Sequence, residues 1–232
     1  MTLPMRIFLT CPCCKAKFES LSVMISSTYG SLTDLRPIPS GADPMYMVIH
    51  TCPSCGYTGY DGAFKRKHLE TALKERIHEQ ITPLMKNFSL TPKQKLLHEF
   101  PAPERQYEFA ALIAQWEGDS LQSIGDLYLR AAWCCKDSKN PRKERLYRLK
   151  ALEYFERAIE LKEISVDDTA VYTYLIGELH RRVGEIGAAN EWFDKVPAAI
   201  EGDLKQQWLV ELATQQKTNP KEFIGRDKNP RS

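Results

Sequence analysis

The chain has 232 residues, of which 43% are hydrophobic, 27% charged and 10% aromatic, a globular composition that excludes a disordered or collagen-like chain. Thirty-two Lys and Arg against 30 Asp and Glu give a formal charge of +2, which excludes a global polycation drawn to nucleic acid or anionic lipid. The apolar runs are far short of a membrane span, and Met1 to Thr10 lacks the apolar stretch and cleavage site of a signal peptide, so the expected location is the cytoplasm, with no membrane partner.

Residues 1–60 read as β-rich. Ile7-Phe8-Leu9 is strand-like and leads into Cys11-Pro12-Cys13-Cys14; a second strand is expected over Phe18–Ile25. Pro37, Pro39, Ser40, Gly41 and Pro44 mark a loop from Gly30 to Pro44, long enough to be either functional or mobile. Met45–Ile49 then reads as a strand before Cys52-Pro53-Ser54-Cys55. From about Ala63 the pattern turns helical, with Leu69, Leu73, Ile77 and Ile81 forming one stripe. Lys65-Arg66-Lys67-His68 sits at that helix's start, against the dipole; it is a solvated face or, on the sharper reading, an anion or nucleic-acid contact. Thr91-Pro92 with Gln94 predicts another helix start, and Pro101 and Pro103 mark a boundary. Residues 1–100 hold 12 Lys and Arg against 8 Asp and Glu, and the remainder 20 against 22, a mild asymmetry of +4 and −2.

Helices in series follow: 104–117 ending at Gly118, one from a cap at Asp119 or Ser120 to about Asp137, one near 143–163, one capped by Asp168 or Thr169 and ending at Gly184, then 187–198 and 204–216. The tail from Lys217, with Asn219-Pro220 and Asn229-Pro230, reads as frayed and flexible. These helices repeat. Tyr128–Trp133 aligns with Tyr174–Leu179, Ala151–Ala158 with Ala189–Val196, and Trp208-Leu209-Val210 with Tyr174-Leu175-Ile176, the last at the 34-residue tetratricopeptide period. Gly177, Ala189 and Phe193 reproduce the small–small–aromatic spacing at which such helices meet, although His180 stands where Tyr is usual and no Pro closes the repeat.

The seven cysteines carry the chemistry. An odd count without a secretory signal points to a reducing compartment and not to a disulfide framework. Cys11/Cys14 and Cys52/Cys55 form two C-x-x-C pairs in segments related by a constant offset of 41, each after a strand-like run. A strand leading into a tight turn aims two thiolates at one point, and two such turns make a tetrahedral four-sulfur site. Zinc suits it; iron in a rubredoxin-like cage is the alternative. A closed site of this kind is structural, with no open position for a substrate. Gly56 supplies the positive φ after the second pair, and Lys15 holds that place after the first. Cys13 is a spare thiol, either a tolerated small residue or a redox or alternative ligand. His50 reads as a strand residue before a ligand, and Cys134 and Cys135 as helix core.

With these motifs in place, the chain resembles an uncharacterised bacterial family, the domain of unknown function twenty-two twenty-five. The resemblance rests on the paired turns, Cys11 to Cys14 and Cys52-Pro53-Ser54-Cys55-Gly56, and on the late helix Tyr174-Leu175-Ile176-Gly177-Glu178-Leu179-His180-Arg181-Arg182-Val183-Gly184. It implies a cytoplasmic protein with an N-terminal metal-binding module and tetratricopeptide-like helices, and no established activity. Cys13 and an insertion near Lys139 are local departures.

The expected fold is therefore α+β and mostly α: a zinc-ribbon-like module over 1–61, connecting helices over 62–101, an antiparallel tetratricopeptide-like array over 102–216 and a flexible tail over 217–232. The expected function is a metal-stabilised adaptor that takes a protein partner in a groove lined by Tyr128, Tyr174, Glu178 and Arg181. A nucleic-acid binder using the Lys65–His68 edge is the alternative, and a thiol or iron redox protein a weaker one. No Ser/His/Asp constellation or phosphate loop is legible, so no enzyme activity is expected.

Overall fold

The computed structural model describes residues 3–86, 101–200 and 203–224. It is mostly helical, at 59%, with small antiparallel sheets. The helix start expected at Thr91-Pro92 lies outside the described residues.

The strands are β1 Leu3–Thr10, β2 Lys17–Ile25, β3 Thr28–Leu32, β4 Pro37–Pro39, β5 Ile49–Thr51, β6 Thr58–Tyr60 and β7 Phe223–Ile224. The helices are α1 Asp61–Phe64, α2 Thr71–Arg76, α3 Thr82–Lys86, α4 Pro103–Glu117, α5 Leu121–Asp137, α6 Pro141–Glu160, α7 Val166–Val183, α8 Ile186–Ala199 and α9 Gln207–Thr218. A π-helical turn, Ile77–Ile81, joins α2 to α3. The chain forms two compact units, one drawn from residues 1–27, 39–119 and 126–147, the other from 28–38, 120–125 and 148–232.

In the first unit β1 and β2 pair antiparallel, as do β5 and β6. The strand expected over Met45–Ile49 is shorter than its apolar run. Asp43 accepts a hydrogen bond from the Met45 amide at 2.9 Å and Pro44 fixes the next position, so Pro44–Tyr46 winds into a 3-10 turn and only Ile49–Thr51 extends. The stripe Leu69, Leu73, Ile77 and Ile81 is buried as expected. The helix carrying it begins at Thr71, however, so Lys65–His68 occupies the break after α1 and does not oppose a dipole. These apolar residues join Tyr57, Phe64, Met85, Phe109 and Ile113 in one core. Phe64 meets both Phe18 and Tyr57 edge-on, with centroids 5.6 and 5.3 Å apart.

In the second unit the segment read as a bare loop contributes β3 and β4, and the segment read as a frayed tail contributes β7, giving a sheet in the order β4-β3-β7. Gln216 fixes the approach to β7: its carbonyl accepts from the Lys221 amide at 2.7 Å and its amide donates to the Lys221 carbonyl at 2.9 Å. Helices α7, α8 and α9 share a core of Tyr174, Phe193, Val196, Leu209 and Leu212. The cap of α7 is Ser165, whose hydroxyl accepts from the Asp168 amide at 3.2 Å, a few residues before the expected Asp168 or Thr169.

Helix α7 is buried on all sides from Tyr172 to His180, which makes it the centre of its unit. Its one buried carboxylate, Glu178, accepts from Thr33 at 2.7 Å, from Arg181 at 2.8 Å and from Arg182 at 2.7 Å. Asp34 receives Arg148 at 3.0 Å with both side chains buried, and Glu222 receives Arg182 at 3.1 Å. Three guanidinium groups thus face three carboxylates and fasten the β3–β4 segment and the approach to β7 onto the helices. Tyr174 adds a hydrogen bond to the Thr33 carbonyl at 2.9 Å.

His180 lies between two carboxylates, with Nε2 2.8 Å from Glu156 and Nδ1 2.8 Å from Glu185. The hydrogen bond to Glu156 is the main cause that raises its pKa above 6.5; burial opposes this, and Glu185 adds to it. A raised native pKa stabilises the fold fully below the unfolded value and loses that contribution as pH climbs through the native value. Urea unfolding of the intact protein should therefore show stability falling from pH 5.5 to pH 8.5. His180→Gln should remove that slope; an unchanged slope in the variant would assign it to another group.

Candidate metal centre

The two C-x-x-C turns are hairpin turns of the same build. Thr10 opposite Lys17 closes the first and Thr51 opposite Thr58 closes the second, equivalent positions under the offset of 41. In the first, the Cys11 amide donates to the Ala16 carbonyl and the Lys15 amide to the Cys11 carbonyl, both at 2.9 Å. In the second, the Cys52 amide donates to Tyr57 at 2.8 Å and the Gly56 amide to Cys52 at 2.9 Å. With the carbonyls and amides so engaged, both thiols of each turn project to one side.

The sulfurs of Cys11, Cys14, Cys52 and Cys55 all lie within 4.8 Å of one another. Cys11 is 3.6 Å from Cys55 and Cys14 is 3.5 Å from Cys52. A tetrahedral centre with zinc–sulfur bonds of about 2.3 Å needs sulfurs about 3.8 Å apart, so this donor set fits zinc or iron after small shifts of the side chains. The thiols also compete for charge. Hydrogen bonds from Cys11 and Cys55 pull Cys52 down to about 2, while the Cys52 sulfur holds the Cys11 thiol up at about 12 and the neighbouring cysteines push Cys55 well above the usual range. Gathering four thiolates into this volume requires a cation. Cys11, Cys52 and Cys55 are buried and Cys14 partly so, a four-sulfur cluster that could hold a metal ion.

Lys15 and Gly56 both take positive φ, at 64° and 80°. Lys15 tolerates it with its ammonium bound to the Lys67 carbonyl at 2.8 Å. Gly56 has a second constraint: a Cβ there would lie 2.5 Å from Ile81 Cγ2 and 2.9 Å from Met85 Cγ. Left-handed strain of about 1–2 kcal/mol and overpacking of about 1–3 kcal/mol should make Gly56→Ala strongly destabilising to the metal module. Lys15→Gly should stay within about 1 kcal/mol, strain relief offsetting the added chain entropy. Chelator titration followed by fluorescence would show the contrast; equal effects at the two positions would contradict the packing argument.

His50 is not a ligand. Its Nδ1 meets Ser20 Oγ at 2.9 Å and its Nε2 meets the Asp61 carboxylate, which leaves no lone pair for a metal. This chain of Ser20, His50 and Asp61 corrects the expectation that no such trio exists. Its polarity is the reverse of a hydrolase's: Ser20 is 8% exposed while the Asp61 side chain is 52% exposed. The trio ties β2, β5 and α1 together around the second turn. Spacing gives no signal for it, since the three residues come from separate elements.

The expected partner surface is also corrected. Tyr128 is buried, its hydroxyl accepting from Gln115 at 2.8 Å and its ring stacked on Tyr147. Tyr174 and Glu178 are buried in the network described above, and Arg181 spends its guanidinium on Glu178. They hold helices and strands together and offer no groove lining. Cys134 and Cys135 are buried in the first unit, as expected, with burial the main cause that pushes the Cys135 thiol up to about 12. Two residues missed from sequence stand behind the centre: Thr82, whose hydroxyl donates to the Cys55 carbonyl at 2.8 Å, and His78, 3.9 Å from the Cys13 sulfur.

A family model described as an uncharacterized protein conserved in bacteria, DUF2225, matches residues 8–219. No curated protein and no solved structure matches the chain. Among the described residues no helix is long and apolar enough to cross a membrane.

Proposed function

The chain belongs to this bacterial family, and we propose that it is a cytosolic, zinc-stabilised protein-interaction adaptor. The observation that carries the reading is the closure of the centre: four sulfurs on two matched turns, set in an apolar core. A metal so enclosed does architectural work, ordering a module whose two-stranded hairpins are marginal alone. Zinc is the ion that best suits four thiolates in a structural role, with iron the alternative.

The helices then supply the working surface, as tetratricopeptide-like repeats. Supporting this, a Cβ at Gly177 would come 2.7 Å from the Phe193 ring, and one at Gly125 would strike the Phe155 ring. Phe155 and Phe193 are equivalent in the sequence alignment of the repeats, so each seats its aromatic ring on a glycine. The alternative of a nucleic-acid edge at Lys65–His68 has less in its favour, because Arg66 is paired with Glu117.

Affinity capture of the tagged full-length protein from a bacterial lysate separates the two. The adaptor reading expects a protein partner retained at moderate salt, after nuclease treatment, and with Lys65 and Lys67 both changed to Glu. Recovery of nucleic acid that is lost steeply with salt and with the double reversal would favour the alternative.

A further inference from the structure

Two exposed clusters of opposite charge stand at the two ends of helix α6. The first covers the end of α5 and the start of α6, the stretch that the alignment of the helices leaves as an insertion near Lys139. From Lys136 to Arg145 it carries five cations against two acids. Arg142 and Lys143 lie in the first turn of α6, where the helix dipole disfavours cations. Glu104 answers Lys143 at 3.4 Å. Lys139, Arg142 and Arg145 are exposed, and among the described residues no carboxylate pairs with them. Leu146, one turn beyond Arg142 on the same face, is 49% exposed. Folding accounts neither for these uncompensated cations nor for the apolar side chain beside them.

The second cluster covers the end of α6 and the start of α7. From Glu160 to Asp168 it carries four acids against one cation, Lys162. Glu163 accepts from the Leu121 amide at 2.9 Å and Asp168 from the Ser165 hydroxyl at 2.8 Å. The carboxylates of Glu160 and Asp167 are exposed and, among the described residues, unpaired. Two large apolar side chains lie among them, Leu161 at 61% and Val166 at 72% exposure. Arg142 is in the first turn of α6 and Glu160 is its last residue, so about 27 Å of helix separates them and one chain cannot pair the two clusters with each other.

We propose that the basic cluster of one copy docks on the acidic cluster of a second copy of this chain, with Arg142 and Arg145 facing Glu160 and Asp167 and with Leu146 packing against Leu161 and Val166. The inference goes beyond the adaptor reading and does not rest on it. A second copy fits because the complement of each cluster, in sign and in apolar content, is carried by the same sequence. A phosphate backbone fits less well: Asp137 and Glu144 interrupt the cations, and no aromatic residue lies between Lys136 and Leu146 to stack a base. Because the two clusters differ, the contact runs head-to-tail, or two copies pair both clusters at once. Its few side chains make it weak and salt-sensitive.

The test is sedimentation velocity of purified full-length protein over about 5–200 µM, at low and at high salt. Wild type should move from monomer toward a dimer or larger assembly as concentration rises, and high salt should weaken this by about tenfold. Arg142→Glu with Arg145→Glu, and separately Glu160→Lys with Asp167→Lys, leave each variant with two clusters of one sign. Each should stay monomeric while keeping the helical circular dichroism of wild type, and an equal mixture of the two should associate again. Leu146→Ser should weaken association without changing its salt dependence. Lys65→Glu with Lys67→Glu, an equal change of net charge elsewhere, should leave association intact. Monomeric wild type at every concentration, double variants that associate like wild type, or a mixture that stays monomeric would overturn the proposal. So would a monomeric wild type that captures a different protein, or nucleic acid, and loses it on Arg142→Glu with Arg145→Glu, which would assign the basic cluster to a foreign partner.

Discussion

Cys52→Ser should abolish stoichiometric metal binding and unfold the metal module. Structural zinc contributes apparent free energies of about 10–16 kcal/mol in small thiolate modules, far more than β5 and β6, of three residues each, can supply. The loss should not stop at the turns. Tyr57, Phe64, Leu73, Ile77 and Met85 share one core with the cysteines, and the Cys55 carbonyl anchors Thr82. Hydrogen exchange should therefore rise through 3–27, 49–60 and 71–86, in the variant and in chelated wild type alike. Helices α7 to α9 draw on the separate core around Tyr174 and Phe193 and should keep their protection. Uniform loss of protection through α7 to α9 would show that the second unit depends on the metal.

Arg148→Met should cost about 3–5 kcal/mol, because it leaves the buried Asp34 carboxylate without its closest cation. The effect is expected to be local first: β3, β4 and β7 should lose protection before α7 does, since Asp34 and Thr33 are their link to the helices. Arg148→Met combined with Asp34→Leu removes both charges and should recover a large part of the loss, as buried pairs replaced by apolar side chains commonly do. Urea unfolding of the three proteins checks this. A single variant within about 0.5 kcal/mol of wild type would mean that water reaches Asp34 freely.

What the sequence makes legible here is local chemistry. The paired cysteines announce themselves because both thiols of each turn are three residues apart and strands flank the turns. Helix ends at Gly118 and Gly184 are read correctly because a cap is a property of a few neighbouring residues. The strand over Met45–Ile49 is misjudged because apolar content outweighs a two-residue cap signal at Asp43-Pro44. Long-range pairing is what stays hidden. Glu178 meets Thr33 across 145 positions and Arg148 meets Asp34 across 114, and nothing in either neighbourhood names the other. Without that pairing, Tyr174, Glu178 and Arg181 look like one polar edge of a helix facing a partner, when Tyr174 and Glu178 meet Thr33 in the turn between β3 and β4 and Arg181 meets Glu178 of its own helix.

The proposed centre is one metal held by four cysteine sulfurs. X-ray absorption spectroscopy at the zinc edge on purified, metal-replete protein, with metal content measured on the same sample, tests it most directly. One zinc per chain, with four sulfur neighbours at about 2.3 Å and no nitrogen or oxygen in the shell, is the expected result. A shell of mixed sulfur and nitrogen, or a metal content far below one per chain, would contradict it.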